Sequence, residues 1–286
     1  MAFKLFNHDK PGPGISKNAP EKRKIVVFFE TFFRNIWKFM LINLVYFAIS
    51  IPIITNGLAT AGITHVTRNI ALDKHSFGLS DFFDTIKKNW KQALVVGILN
   101  MLISVFLIFD FMFFYNYKDN KIIATIGLGL SVFVLLSFLI MRFYIWTLMI
   151  TFNLSTVKLY VNSFKFVFLN FWENLLCLII EVLMYGVYVF AIYVIWHMSV
   201  KYVMMSLGLE ILIFLSTFPC YRALMIQYFV FPPIVKYVIE PYYKEHPFED
   251  IDKRRDLGLE IEELKKYDED GNLIIDEDEI VFDDDI

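Results

Sequence analysis

The sequence of 286 residues lacks the local signatures of common enzymes and metal proteins. It has no HExxH, no GxSxG and no glycine-rich phosphate loop. Its two cysteines, Cys177 and Cys220, are isolated in apolar stretches, which argues against a disulfide framework or a paired-cysteine metal site. We therefore expect no enzymatic activity, no cofactor and no metal ion. Nothing in the sequence favours nucleic acid as a partner.

The N-terminus also lacks the apolar stretch of a secretory signal peptide. Residues 1–24 are polar and basic and contain Pro11 and Pro13, which predicts an irregular leader. Without a signal peptide, the first apolar helix is expected to stay in the membrane.

Apolar residues are abundant. Hydrophobic residues make up 57% of the chain and aromatic residues 18%, with a mean hydropathy of +0.53, whereas soluble domains are about 45–50% apolar. Each of five apolar runs has close to the ~20 residues that cross a bilayer core. The runs are 37–52, 93–115, 122–141, 175–196 and 203–226. This pattern predicts an all-α polytopic membrane helix bundle over residues 25–239, surrounded by the lipid bilayer.

A sixth, weaker segment at residues 53–71 is rich in small residues. If this segment crosses the membrane, only three basic residues fall on the outer side, namely Lys118, Lys121 and Lys201. This distribution follows the positive-inside rule, by which Lys and Arg collect on the cytoplasmic side. We therefore predict six membrane segments, the second of them short and packed inside the bundle. Both termini are expected to be cytoplasmic and the protein to lie in the cell membrane.

The last part of the chain is acidic. Residues 240–286 hold 19 of the 30 Asp and Glu residues and 6 of the 27 Lys and Arg residues, which predicts an acidic cytoplasmic tail. A faint calcium-loop pattern within it has Lys266 where the first ligand should be Asp. Asp270-Gly271 is more typical of a hairpin turn.

Three amphipathic segments, 29–36, 79–90 and 157–171, resemble one another and indicate helices that lie in the membrane interface. Their shared feature is an Asn followed by a large apolar residue, at Asn35, Asn89 and Asn170.

In addition, Lys121 to Arg142 and Lys201 to Arg222 both span 21 positions, which is about one hydrocarbon thickness. Each Arg is then expected at the inner interface, with its stem along the apolar layer. The matches indicate three copies of one unit, or else a chance result of aromatic-rich interfaces.

Glu181 and Glu210 are the deepest predicted charges, since each lies about two turns inside an apolar helix. An ionisable group at such depth indicates a functional site with a partner, here a shared proton or a cation. The alternative is a protonated carboxyl group hydrogen-bonded inside the bundle.

A candidate helix break follows the first apolar run, where Pro52, Thr55 and Gly57 interrupt the pattern. Broken helices form substrate sites in some transporters. The alternative, which we favour here, is a tight outer turn between two helices.

The stretch from Asn43 to Leu94 resembles the YesL-like family of Firmicutes membrane proteins, and the likeness extends over about residues 3–235. The matching features include Asn43-Leu44, then Pro52, Thr55 and Gly57, and the aromatic-rich segment from Phe82 to Trp90. The resemblance implies a non-enzymatic accessory to carbohydrate uptake or its sensing, with an ABC transporter permease or a sensor kinase as partner. It provides no catalytic residues.

Two other functions stay open from the residues alone. One is a small-solute or ion-coupled transporter that uses Glu181 and Glu210. The other is a membrane scaffold whose acidic tail binds a partner.

Overall fold

The computed structural model describes residues 24–117, 120–197 and 200–245, and these residues form helices and short connections without a strand. Most of the leader and residues 246–286 lie outside this description. The irregular leader, the acidic tail and the hairpin turn at Asp270 therefore stay predictions.

The helices follow one another along the chain with short connections. A 3₁₀ turn, Ile53–Thr55, joins the second helix to the third, and a π-helical turn, Val235–Ile239, joins the eighth to the ninth. The bounds are α1 (Lys24–Arg34), α2 (Ile36–Ser50), α3 (Asn56–Ala71), α4 (Leu79–Asn116), α5 (Lys121–Thr151), α6 (Thr156–Leu169), α7 (Phe171–Trp196), α8 (Val200–Ile234) and α9 (Glu240–Glu245).

Helices α4, α5, α7 and α8 are long and apolar enough to cross a membrane. The shortest apolar portion among them, Phe171–Val194, has 24 residues and extends about 36 Å, against ~30 Å for a hydrocarbon core. This confirms the all-helical prediction for the described part of the chain, and the four long apolar helices are consistent with a membrane protein.

The prediction of six crossing segments is not confirmed, because α2 and α3 form a short hairpin. Helix α2 has 15 residues and extends only about 22 Å. At the start of α3, a Cβ atom on Gly57 would lie 2.8 Å from the Cα atom of Gly97 in α4. From Gly97, α4 runs on to Asn116, about 28 Å further. The turn at Pro52 therefore ends far short of the outer end of α4.

Small residues hold α3 inside the bundle. Ten of its 16 residues are buried. Gly57 faces the backbone of Ala93 and Gly97, and Gly62 faces the ring of Phe82. Such close helix contacts are typical of membrane interiors, where small residues allow backbones to approach.

The three predicted interfacial helices differ in the structure. Helices α1 and α6 are separate elements that end at Asn35 and Asn170, both of which leave helical geometry. Residues 79–90, in contrast, are the first turns of α4, and Asn89 lies within that continuous helix. The threefold repeat therefore stays a prediction.

Asn43 joins α2 to the segment of α8 around Pro219. Pro219 has no N–H and disturbs the helical hydrogen bonds around it. The Asn43 side chain compensates, since its Nδ2 donates to the Ser216 carbonyl at 2.7 Å and its Oδ1 accepts from the Cys220 N–H at 2.9 Å. In an apolar bundle, this satisfies backbone groups that water cannot reach.

Candidate functional site: a polar cavity between the helices

A cavity of about 380 Å³ lies where α2, α3, α4, α5, α7 and α8 meet. Aromatic side chains form part of its wall, among them Tyr46, Trp146 and Tyr185. Aliphatic and polar side chains form the rest. The non-aromatic polar lining residues are Asn56, Thr60, Thr64, Asn100, Ser104, Arg142, Arg222 and Gln227.

Helical spacing brings the hydroxyl and amide groups of α3 to one wall. Asn56, Thr60 and Thr64 follow at intervals of four residues, which places them on one face of the helix. Thr60 Oγ1 donates to the Asn56 carbonyl at 2.8 Å, and Thr64 Oγ1 donates to the Thr60 carbonyl at 2.6 Å. The hydroxyl protons are thus used within the helix, while the oxygen lone pairs can still accept hydrogen bonds.

Asn100 in α4 has an unused donor at the cavity. Its side chain is 7% exposed, and the Tyr160 hydroxyl donates to its Oδ1 at 2.8 Å. Burial raises the pKa of Tyr160 to about 12, so the phenol keeps its proton and stays a donor. Asn100 Nδ2 is buried and has no hydrogen-bond partner within residues 24–117, 120–197 and 200–245. A buried donor of this kind normally has a partner, so Asn100 Nδ2 can donate to a water or a ligand in the cavity.

Arg222 is held by an ion pair. Its Nε donates to Oε1 of Glu181 on the neighbouring helix α7. The Glu181 side chain is 11% exposed and that of Arg222 22% exposed. The contact fixes the register of α7 against α8 and neutralises one positive charge beside the cavity.

Arg142 in α5 is the second cation on the wall. In the part of the chain that the structure describes, no hydrogen bond or ion pair joins its guanidinium to another side chain. Arg222 and Glu181 are its strongest electrostatic neighbours. Because Glu181 is already bonded to Arg222, the three side chains together carry one net positive charge.

The structure does not bring the two predicted glutamates together. Glu181 bonds to Arg222, which lies twelve positions after Glu210 on the same helix, a rise of about 18 Å. Both carboxylate oxygens of Glu210 are buried and have no partner among the described residues. The hypothesis of one shared site is therefore corrected to an ion pair at Glu181 and a separate carboxyl group at Glu210.

The predicted helix break is present and borders the cavity. Helix α2 ends at Ser50, and Pro52 has an extended backbone with φ −76° and ψ 113°. The Thr55 hydroxyl lies 2.8 Å from the Pro52 carbonyl, and Gly57 is part of the cavity wall.

The turn itself is apolar, since Ile51, Ile53 and Ile54 are 81%, 70% and 54% exposed. Exposed isoleucines suit contact with lipid better than contact with water. This agrees with a turn inside the apolar layer and not with the tight outer turn expected from the sequence.

Sequence reasoning missed the role of the two arginines, which it interpreted as interfacial anchors. The available signal was their equal spacing from Lys121 and Lys201. That spacing predicted one common depth, but it could not show that both arginines face the same cavity.

The groups on the cavity wall can bind a polar ligand. In the described ranges, no group of three or more His, Cys, Asp or Glu side chains is placed to hold a metal ion. The cavity instead offers one uncompensated guanidinium, one unused amide donor and several hydroxyl acceptors.

No curated protein and no solved structure matches this chain. A family model does match its first part, which contains the α2–α3 hairpin and its contact with α4. Residues 25–111 match the family described as "Protein of unknown function, DUF624".

Proposed function

We propose that this membrane protein binds a small, singly charged anion with several hydroxyl groups in the cavity between its helices. The observation that carries the proposal is Arg142, a cation on the cavity wall with no direct partner in the described structure. A charge in an apolar bundle is costly unless it is paired, and a bound anion would supply the partner. Because Arg222 and Glu181 neutralise each other, the remaining charge of Arg142 matches a ligand with one negative charge.

The remaining wall suits a hydroxylated ligand. Thr60, Thr64 and Ser104 offer hydroxyl oxygens, and Asn100 Nδ2 offers a donor. Tyr185 and Trp146 provide apolar surface for the C–H groups of such a ligand. The volume of about 380 Å³ is at the small end of the range for ligand sites, about 300–1,000 Å³. A sugar acid of one ring has this chemistry.

This ligand class is compatible with the resemblance to the YesL-like family of Firmicutes and with an accessory role in carbohydrate uptake or sensing. In that role, the protein would present or report a sugar acid to an ABC transporter permease or a sensor kinase in the cell membrane. Four crossing helices would put the start of α4 and the end of α8 on one side of the membrane, and the positive-inside rule favours the cytoplasm for that side.

The alternative is that the protein itself transports the solute. The position of the cavity beside the broken segment between α2 and α3 favours this alternative. Uptake of a labelled sugar acid into vesicles that contain only this protein would distinguish transport from an accessory role.

Binding is tested by calorimetry on the purified full-length protein in detergent, with a neutral hexose, a hexuronate and a hexose phosphate as probes. We expect the hexuronate to bind more tightly than the neutral hexose. Arg142→Gln should weaken hexuronate binding by about 10- to 100-fold, since a hydrogen bond to a charged group contributes about 1.5–3 kcal/mol. Neutral hexose binding should change much less.

Lys121→Gln is the matched control, because it removes one positive charge from the exposed other end of the same helix. It should leave hexuronate binding unchanged. Equal binding of the hexuronate by Arg142→Gln and the unchanged protein would refute the proposal, as would failure of all three probes to bind.

A further inference from the structure

A second, separate recess is basic and lies at the base of the α2–α3 hairpin. It measures about 310 Å³ and is formed by the α1–α2 junction and the loop between α3 and α4. Its charged side chains are Arg34, Lys38, Asp73 and Lys74, beside His75. Three cations and one carboxylate give a net charge of +2. We refer to these five residues as the basic recess.

Arg34 and Lys38 each use only part of their donor capacity in contacts with the protein. Arg34 Nη2 donates to Asp73 Oδ1 at 2.7 Å, although a guanidinium has five N–H donors. Lys38 Nζ donates to the Ser76 carbonyl at 2.8 Å, although an ammonium group has three. Both contacts also hold the loop against α1 and α2, so they position the cations around the recess. Several N–H donors around one recess match the oxygens of a phosphate.

The surroundings place the recess at a membrane surface. Phe33, Trp37 and Phe77 flank it in sequence and are 62%, 79% and 73% exposed. Exposed aromatic side chains next to basic ones are typical of the headgroup region, where the rings reach the acyl chains. Along α2, Leu41 and Leu44 continue the exposed apolar surface, at 51% and 68%. A phosphate in the basic recess would thus have an acyl-binding surface beside it.

We propose that the basic recess binds the phosphate of an anionic phospholipid, with the acyl chains along the exposed face of α2. The proposal is independent of the cavity and of its ligand. Basic pockets at the cytoplasmic ends of membrane helices bind anionic headgroups in this way. A free phosphate ion has the same charged group but would make no use of the apolar surface.

The test is native mass spectrometry of the full-length protein, titrated with phosphatidylglycerol or phosphatidylcholine in a mild detergent. The protein should bind phosphatidylglycerol at least tenfold more tightly. The double variant Arg34→Gln, Lys38→Gln keeps hydrogen-bonding side chains and should lose this preference. Its thermal midpoint without lipid should stay close to that of the unchanged protein, because the Arg34–Asp73 pair is exposed, with side chains 62% and 68% accessible.

The matched control is Lys87→Gln, Lys88→Gln, which removes two exposed positive charges from α4 outside the recess. It should retain the preference for phosphatidylglycerol. Equal losses in the two double variants would show unspecific attraction and overturn the proposal. Binding of millimolar inorganic phosphate without a preference between the two lipids would assign the recess to free phosphate and overturn it as well.

Discussion

Helix α3 is weakly apolar but largely buried, whereas helix α7 is strongly apolar but largely exposed. Helix α3 reads NGLATAGITHVTRNIA, with small and polar residues throughout, and ten of its 16 residues are buried. Helix α7 is far more apolar, yet only 17% of its apolar window is buried. Val187, Val189 and Phe190 are among its side chains that are more than 60% exposed.

The difference follows from the bilayer as solvent. An apolar side chain gains little by moving from lipid to a helix interface, because both surroundings are apolar. Small residues gain close packing there, and polar residues gain hydrogen bonds that lipid cannot offer. In this chain the less apolar helix therefore forms the centre, and it carries one wall of the polar cavity.

The largest contrast is expected in cysteine labelling, which tests whether the α2–α3 hairpin ends inside the apolar layer. An impermeant maleimide added to whole cells should label Asn120→Cys fully and Ile53→Cys hardly at all. Phe77→Cys should be labelled only after permeabilisation. The native thiols of Cys177 and Cys220 are buried and give a low background. Labelling of Ile53→Cys from outside as fast as Asn120→Cys would restore the six-segment arrangement.

The ion pair between α7 and α8 should give the largest stability effect. Glu181→Ala leaves the Arg222 guanidinium without its carboxylate, which should destabilise the protein by about 3 kcal/mol. The measurement is reversible unfolding in detergent, and Glu210→Ala is the control, since its oxygens have no partner in the described structure. We expect the control to be neutral or stabilising. Equal losses for the two variants would contradict the assigned pairing.

The second-largest stability effect is expected from a substitution at Gly57, where α3 and α4 approach closely. A Cβ atom there would lie 2.3 Å from the Ala93 carbonyl oxygen, so α3 and α4 must separate. We expect Gly57→Ala to cost about 2 kcal/mol by overpacking. Gly186→Ala on α7 is the matched control, because its Cβ would meet nothing within 4 Å. If both substitutions are silent in the same unfolding assay, the tight α3–α4 contact is absent.

The smallest stability difference is expected between one valine-to-alanine substitution in α3 and one in α7. Val66 in α3 is 0% exposed and Val187 in α7 is 66% exposed. Val66→Ala should cost about 1 kcal/mol through lost packing, whereas Val187→Ala should stay within about 0.5 kcal/mol. A larger loss at Val187 would show that α7 is covered by another protein surface instead of lipid.

Much of the architecture was predictable from the sequence. The apolar runs indicated helices α4, α5, α7 and α8, since crossing length and hydropathy are local properties. Pro52 indicated the end of α2, because proline cannot continue a hydrogen-bonded helix. The small residues around Gly57 indicated that α3 packs inside the bundle.

The candidate site was only partly predictable. Glu181 was identified as a deep charge, but it was assigned Glu210 as partner because depth counted from helix ends suggested a common level. The structure sets the register of α7 against α8 so that Arg222 lies opposite Glu181. Arg142 was assigned to the interface, since one sequence does not show which face of α5 meets the cavity.

The sequence by itself determined that the chain forms apolar helices long enough to cross a membrane, because hydropathy and length are properties of each segment alone. Only the tertiary structure decided that α2 and α3 turn back early, and that Arg142, Arg222 and Asn100 line one cavity. These features depend on the contact between Gly57 and Gly97 and on the register between α7 and α8. Both join residues that are distant in sequence, so no local pattern records them.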